Sequence, residues 1–130
     1  MIVTITIAGL CGLILMALSF RVVQVRGGAK VSLGDGGDPL LQSRIRAHAN
    51  FAEYIPIILI LMGLIESFDA DRMLLGVLGV GLVLARISHA IGMGMPAPNP
   101  ARIVGTAGTF IILIVASVWA LVISARLHGL

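Results

Sequence analysis

Residues 1–20 read MIVTITIAGLCGLILMALSF, and Arg21 follows at once. No side chain in this stretch carries a charge. As a helix it would run about 30 Å, the thickness of a bilayer's hydrocarbon core. A cleaved signal peptide would carry Lys or Arg ahead of the apolar run. None is present, so a retained first membrane helix is expected. Three more apolar runs follow at 47–67, 73–95 and 103–125, each 21 to 23 residues long, with Arg126 closing the last. In lipid only helices and closed barrels satisfy the backbone, and no period-2 alternation points to a barrel. The expected fold is all-α: one domain over 1–130, an up-down-up-down bundle of four transmembrane helices.

Composition agrees. The 130 residues are 58% apolar and 12% charged, with mean hydropathy +1.09. Soluble domains carry about 25% charged residues. A free soluble enzyme, a disordered chain and a basic nucleic-acid-binding domain are therefore excluded. A single Cys leaves no internal disulfide and no cysteine metal cluster. The net charge of +3 is unevenly placed. Loop one, 21–46, holds Arg21, Arg26, Lys30, Arg44 and Arg46 against Asp35 and Asp38. Loop two, 68–72, carries Asp69, Asp71 and Arg72, and loop three, 96–102, has three prolines and Arg102. Loops one and three share a side, with six basic residues to two on the other. The positive-inside rule puts them in the cytoplasm and both termini outside. The glycines between Gly27 and Pro39 lack the phosphate-loop pattern, and two Asp are too few for a calcium loop, so this segment reads as a flexible connection.

Ionisable groups at membrane depth are costly and point to function. Arg46, Asn50 and Glu53 fall at i, i+4 and i+7, on one face of the second helix. His48 and Tyr54 lie on neighbouring faces. Arg86 and His89 share a face near the cytoplasmic end of the third helix, and Arg102 opens the fourth on the same side. Arg26 and Lys30 rim that end. Arg excess over a single Glu suits an anion, such as a ligand carboxylate or a thiolate. The competing reading is structural: Glu53 pairs with Arg86 and Asn50 hydrogen-bonds across helices. That leaves the other arginines without a role. Gly9, Gly12, Gly76, Gly79, Gly81, Gly105 and Gly108 read as helix-packing positions. Cys11 reads as an inert apolar filler, His128 as solvated, and Met93 and Met95 as lining or lipid-facing. Trp119 and Glu66 read as interfacial anchors. No metal site is expected.

The segment Arg46-Ala-His-Ala-Asn50-Phe-Ala-Glu53-Tyr54-Ile-Pro56 resembles the second-helix signature Arg-x-x-x-Asn-x-x-Glu of the membrane-associated proteins in eicosanoid and glutathione metabolism, the MAPEG superfamily. Gln24-Val25-Arg26, Arg86-Ile-Ser-His89 and Arg102 thirteen residues on are similar to further family segments, in the same order. The resemblance covers essentially the whole chain. It implies a bacterial-type member in the inner membrane, a homotrimer with glutathione sites between subunits, open to the cytoplasm. Carried over, Arg26 would bind a glutathione carboxylate, and Arg46, Asn50 and Glu53 the peptide and its amino end. His48 and Tyr54 would belong to the same binding site, Arg86 and His89 would line the cleft, and Arg102 would hold the sulfur as thiolate. Two positions depart from the eicosanoid branches, Met93 in place of Tyr and Ile103 in place of Ser. They speak against eicosanoid chemistry and leave the glutathione ligands in place. The implied activity is a glutathione transferase or peroxidase acting on lipophilic electrophiles or lipid hydroperoxides, a detoxification role. The alternative is a non-catalytic lipid-binding protein of the same architecture. A transporter, which needs polar residues through the span, is the weakest reading.

Overall fold

The computed structural model describes residues 1–68 and 71–129. Within them the chain forms four helices and no strands: α1 (Ile2–Ala29), α2 (Pro39–Ser67), α3 (Arg72–Gly92) and α4 (Pro100–Leu127). Each is long and apolar enough to cross a membrane. The fold is the all-α membrane architecture expected.

α1, α2 and α4 overrun the expected apolar spans, while α3 stops at Gly92, three residues short of the expected end at Met95, because caps as well as hydropathy set helix ends. Asp38 precedes Pro39 and accepts from the amides of Leu40 and Leu41, so α2 starts well before its apolar part. Proline at the first helical position needs no amide partner. Asn99 and Pro100 repeat this arrangement at α4, and Asp71 caps α3. Much of loop one is therefore helical, and Arg21, Arg26, Arg44 and Arg46 project from helix ends. Asp69, expected in loop two, lies outside the described residues.

Glu66 corrects an expectation. It is no interfacial anchor but a buried cap. Its carboxylate accepts from the amides of Val3 (3.0 Å) and Thr4 (2.8 Å) at the start of α1, and lies 3.3 Å from the amino group of Met1. The first amides of a helix have no partner within it. In a bilayer core they would be costly unmet, and a carboxylate there also suits the helix dipole. Trp119 is half-buried and packs against the core.

Phe51, Ile58, Met62, Leu75, Leu82 and Ile112 pack between the helices. The α3–α4 contact is the most extensive and depends on two glycines. A Cβ on Gly105 would fall 2.6 Å from His89 Cβ and 2.7 Å from the Ala85 carbonyl oxygen. One on Gly92 would fall 2.7 Å from Arg102 Cα. Gly92 was not among the expected packing positions. Gly9, Gly12 and Gly76, which were, have no neighbour within 4 Å of where a Cβ would sit. The two helices are thus held close at the end where Arg102 begins α4.

Candidate functional site

The expected site residues fall into three groups. The first is interior. Arg86 is 1% exposed and has no carboxylate partner among the described residues. Its Nη1 donates to Thr109 Oγ1 (3.2 Å) and its Nη2 to Asn50 Oδ1 (2.8 Å). Nη2 also lies 3.2 Å from His89 Nδ1. A guanidinium only donates, so Nδ1 of His89 accepts. The guanidinium sits 5.5 Å from the Phe51 ring centroid, within cation–π range. One charge thereby ties α2, α3 and α4 together. Arg86 and His89 (4% exposed) lie inside the bundle of this chain. The Glu53–Arg86 pair of the competing reading does not form either. Glu53 is exposed, and Asn50 takes the place at the guanidinium.

The second group stands on α2 and at the start of α4. Arg46 and Glu53 are exposed and Asn50 half-buried. Tyr54 packs edge-to-face on Phe110 of α4, with ring centroids 5.4 Å apart. Phe110 walls a groove of about 520 Å³ on α4, together with Pro98, Arg102, Ile103, Thr106 and Ala107. Arg102 is exposed in the first turn of α4, its amide donating to Asn99 Oδ1 (2.9 Å). The charge of Arg102 and the positive end of the helix act at one place, and both favour an anion.

The third group lies elsewhere. His48 is two residues from Arg46, about 200° around the helix. It lines a groove with Ser19, Val22 and Arg26 between α1 and α2. Arg26 Nη1 donates to the carbonyls of Gly34 (2.9 Å) and Val31 (3.4 Å), tying down the connection after α1. Among the described residues the single ion pair is Met1 with Glu66. Arg26, Arg46, Glu53 and Arg102 therefore have no ion-pair partner among the described residues.

Sequence reasoning missed three residues, two that position Arg102 and one that holds Arg86. Asn99, 8% exposed, donates from Nδ2 to the carbonyls of Gly92 (3.0 Å) and Pro96 (3.1 Å) while capping α4. Ser88 Oγ donates to the Ala101 carbonyl (2.8 Å). Thr109 fixes Arg86. The Asn-Pro pair at 99–100 was a legible cap signal; Ser88 and Thr109 carried none.

Four apolar membrane-length helices, an interior polar hub spanning three of them and a cationic helix start beside a groove define a class. The MAPEG family profile matches residues 4–122, and the chain belongs to that family. Among its relatives is the inner membrane protein YecN of Escherichia coli strain K12, 42% identical over 85 residues, 65% of this chain and 65% of its own length. YecN of E. coli O6:H1 matches to the same extent. The match spans just under two thirds of these relatives. Four apolar helices and a relative named an inner membrane protein make this chain an integral membrane protein.

Proposed function

We propose that this protein activates the glutathione thiol for attack on lipophilic electrophiles, as a transferase, or on lipid hydroperoxides, as a peroxidase. The observation that carries this reading is Arg102: exposed, without an anionic partner among the described residues, at the start of α4 and on the rim of the groove that Phe110 walls. A free thiol has a pKa near 8.5, so little is ionised at neutral pH. A fixed guanidinium and a helix N-terminus favour the thiolate. The thiolate attacks the electrophilic carbon, a C–S bond forms, and the leaving group departs with its electron pair. Arg102 is the catalytic residue in this scheme. Asn99 and Ser88 hold the turn that presents it. Arg86 and His89 act as positioning residues from within.

Arg46, Asn50, Glu53 and Tyr54 would meet the peptide part of glutathione from the same edge. Arg26 and His48 stand on a different edge of the same chain. A second copy would bring its Arg26 and His48 to the first copy's Arg102, which is the arrangement of a homotrimer with sites between subunits. Six basic residues at the loop-one and loop-three end favour a cytoplasmic opening, where glutathione is available.

Purified protein in detergent is expected to develop thiolate absorbance when glutathione is added and to conjugate a generic aryl halide. Arg102→Ala should abolish the absorbance while leaving the oligomer intact by size-exclusion chromatography. Wild-type protein that shows neither thiolate nor conjugate would overturn the proposal. Lipid binding independent of glutathione would then favour a non-catalytic role.

A further inference from the structure

We propose that Arg21 and Arg44 form a second anion site, where the ends of α1, α2 and α3 meet, and that it holds the phosphate group of an anionic lipid. The point where a Cβ on Gly94 would sit lies 3.4 Å from Arg44 Nη1, 3.4 Å from the Ile91 carbonyl oxygen and 3.7 Å from Arg21 Nη2. Two guanidinium groups from different helices thus converge on one small space. Among the described residues neither has a carboxylate within ion-pair distance. Arg44 Nη1 is buried and has no hydrogen-bond partner.

Like charges brought together without a counter-ion repel, and a buried donor without an acceptor is costly. The nearby end of α3 offers a partial answer. A helix C-terminus carries about half a negative charge, which does not balance two guanidiniums. Ser43 Oγ already donates to the Met93 carbonyl there, and the Gly94 amide donates to the Ile91 carbonyl (2.9 Å). What remains is a donor-rich space suited to an oxyanion.

Depth and chemistry select the ligand. Arg21 directly follows the uncharged stretch 1–20, and Arg44 stands three residues before the apolar span at Ala47. Both belong at the headgroup level of the bilayer. Guanidiniums bind phosphate oxygens in paired hydrogen bonds. Gly94 is exposed at the edge of this space, and without a side chain it leaves room there. None of the residues assigned to glutathione takes part.

The test uses the full chain in detergent, stripped of lipid. Phosphatidylglycerol at saturation should raise the melting temperature by about 5 °C or more. Phosphatidylcholine with the same acyl chains should not. The paired variant Arg21→Gln, Arg44→Gln should lose most of the shift. Gly94→Val, which fills the space and keeps both charges, should lose it too and decides the matter if the paired variant does not fold. An equal shift in wild type and Gly94→Val would overturn the site. An equal shift from inorganic phosphate would overturn the lipid assignment in favour of a soluble phosphate. Thiolate formation with glutathione is expected unchanged in Gly94→Val, so this proposal and the glutathione reading fail separately.

Discussion

Arg86 is a full charge inside a membrane bundle, held without a carboxylate among the described residues. Its compensation is distributed: an amide oxygen, a hydroxyl, an imidazole nitrogen and an aromatic face. Interhelical hydrogen bonds in membranes average only about 0.6 kcal/mol. Those to charged groups reach about 1.5–3 kcal/mol. Both partners accept from the guanidinium, so both bonds belong to the stronger class, and they should differ by length. Thr109→Val, which removes the 3.2 Å bond, is expected to cost about 1.5 kcal/mol, the low end of that range. Asn50→Leu removes the 2.8 Å bond, for about 3 kcal/mol, the upper end. Equilibrium unfolding in mixed detergent micelles checks the order. Equal costs would mean that the hub is held by packing rather than by its hydrogen bonds.

At the scale of the helices, two tertiary devices set what hydropathy left open. One is Glu66 on α2 capping α1. Glu66→Leu should cost about 1–2 kcal/mol, as loss of a cap does, and increase amide exchange at Val3 and Thr4. Unchanged exchange there would exclude the capping role. The other is the close α3–α4 contact. Gly105→Ala forces a methyl against His89 and Ala85 and should cost about 1–3 kcal/mol. Gly12→Ala meets nothing within the chain and should leave monomer stability unchanged, as thermal melts of the two variants will show. These cases mark what the sequence made legible. The four spans were readable because apolar length alone decides them, and Asp38 and Asn99 carry cap signals in their own neighbourhoods. The destination of Glu66 was not readable, because its partners are amides more than sixty positions away. The same holds for Arg86. Its place on a helix face with His89 was legible, but whether that face turned inward or outward depended on how the helices pack. Of the glycines, sequence offered seven equivalent candidates, and only packing distinguished Gly105 from Gly12.

For the whole molecule, the exposed surface is the informative quantity. Of the most apolar 18 residues of α4 only 11% are buried, against 33% in α2 and α3. The outer edge of α4 must therefore face lipid or another subunit. Glu53 is exposed on α2, within its apolar span, where bare lipid would be costly. Arg26 and His48, on the groove between α1 and α2, face a different direction from the Arg102 groove. If the glutathione site is built between copies, Arg26 of one subunit serves Arg102 of the next. Two inactive variants then become informative together. Arg26→Gln alone and Arg102→Ala alone each spoil every site. Co-expressed in equal amounts and assembled at random in a closed ring, they should leave about one quarter of the interfaces with both native arginines. Conjugation activity should reappear at about that fraction of wild type, and only when the two chains are assembled together, not when finished oligomers are mixed. A site contained within one subunit predicts no recovery in either case. The result therefore separates an intersubunit site from an internal one without a bound ligand having to be seen.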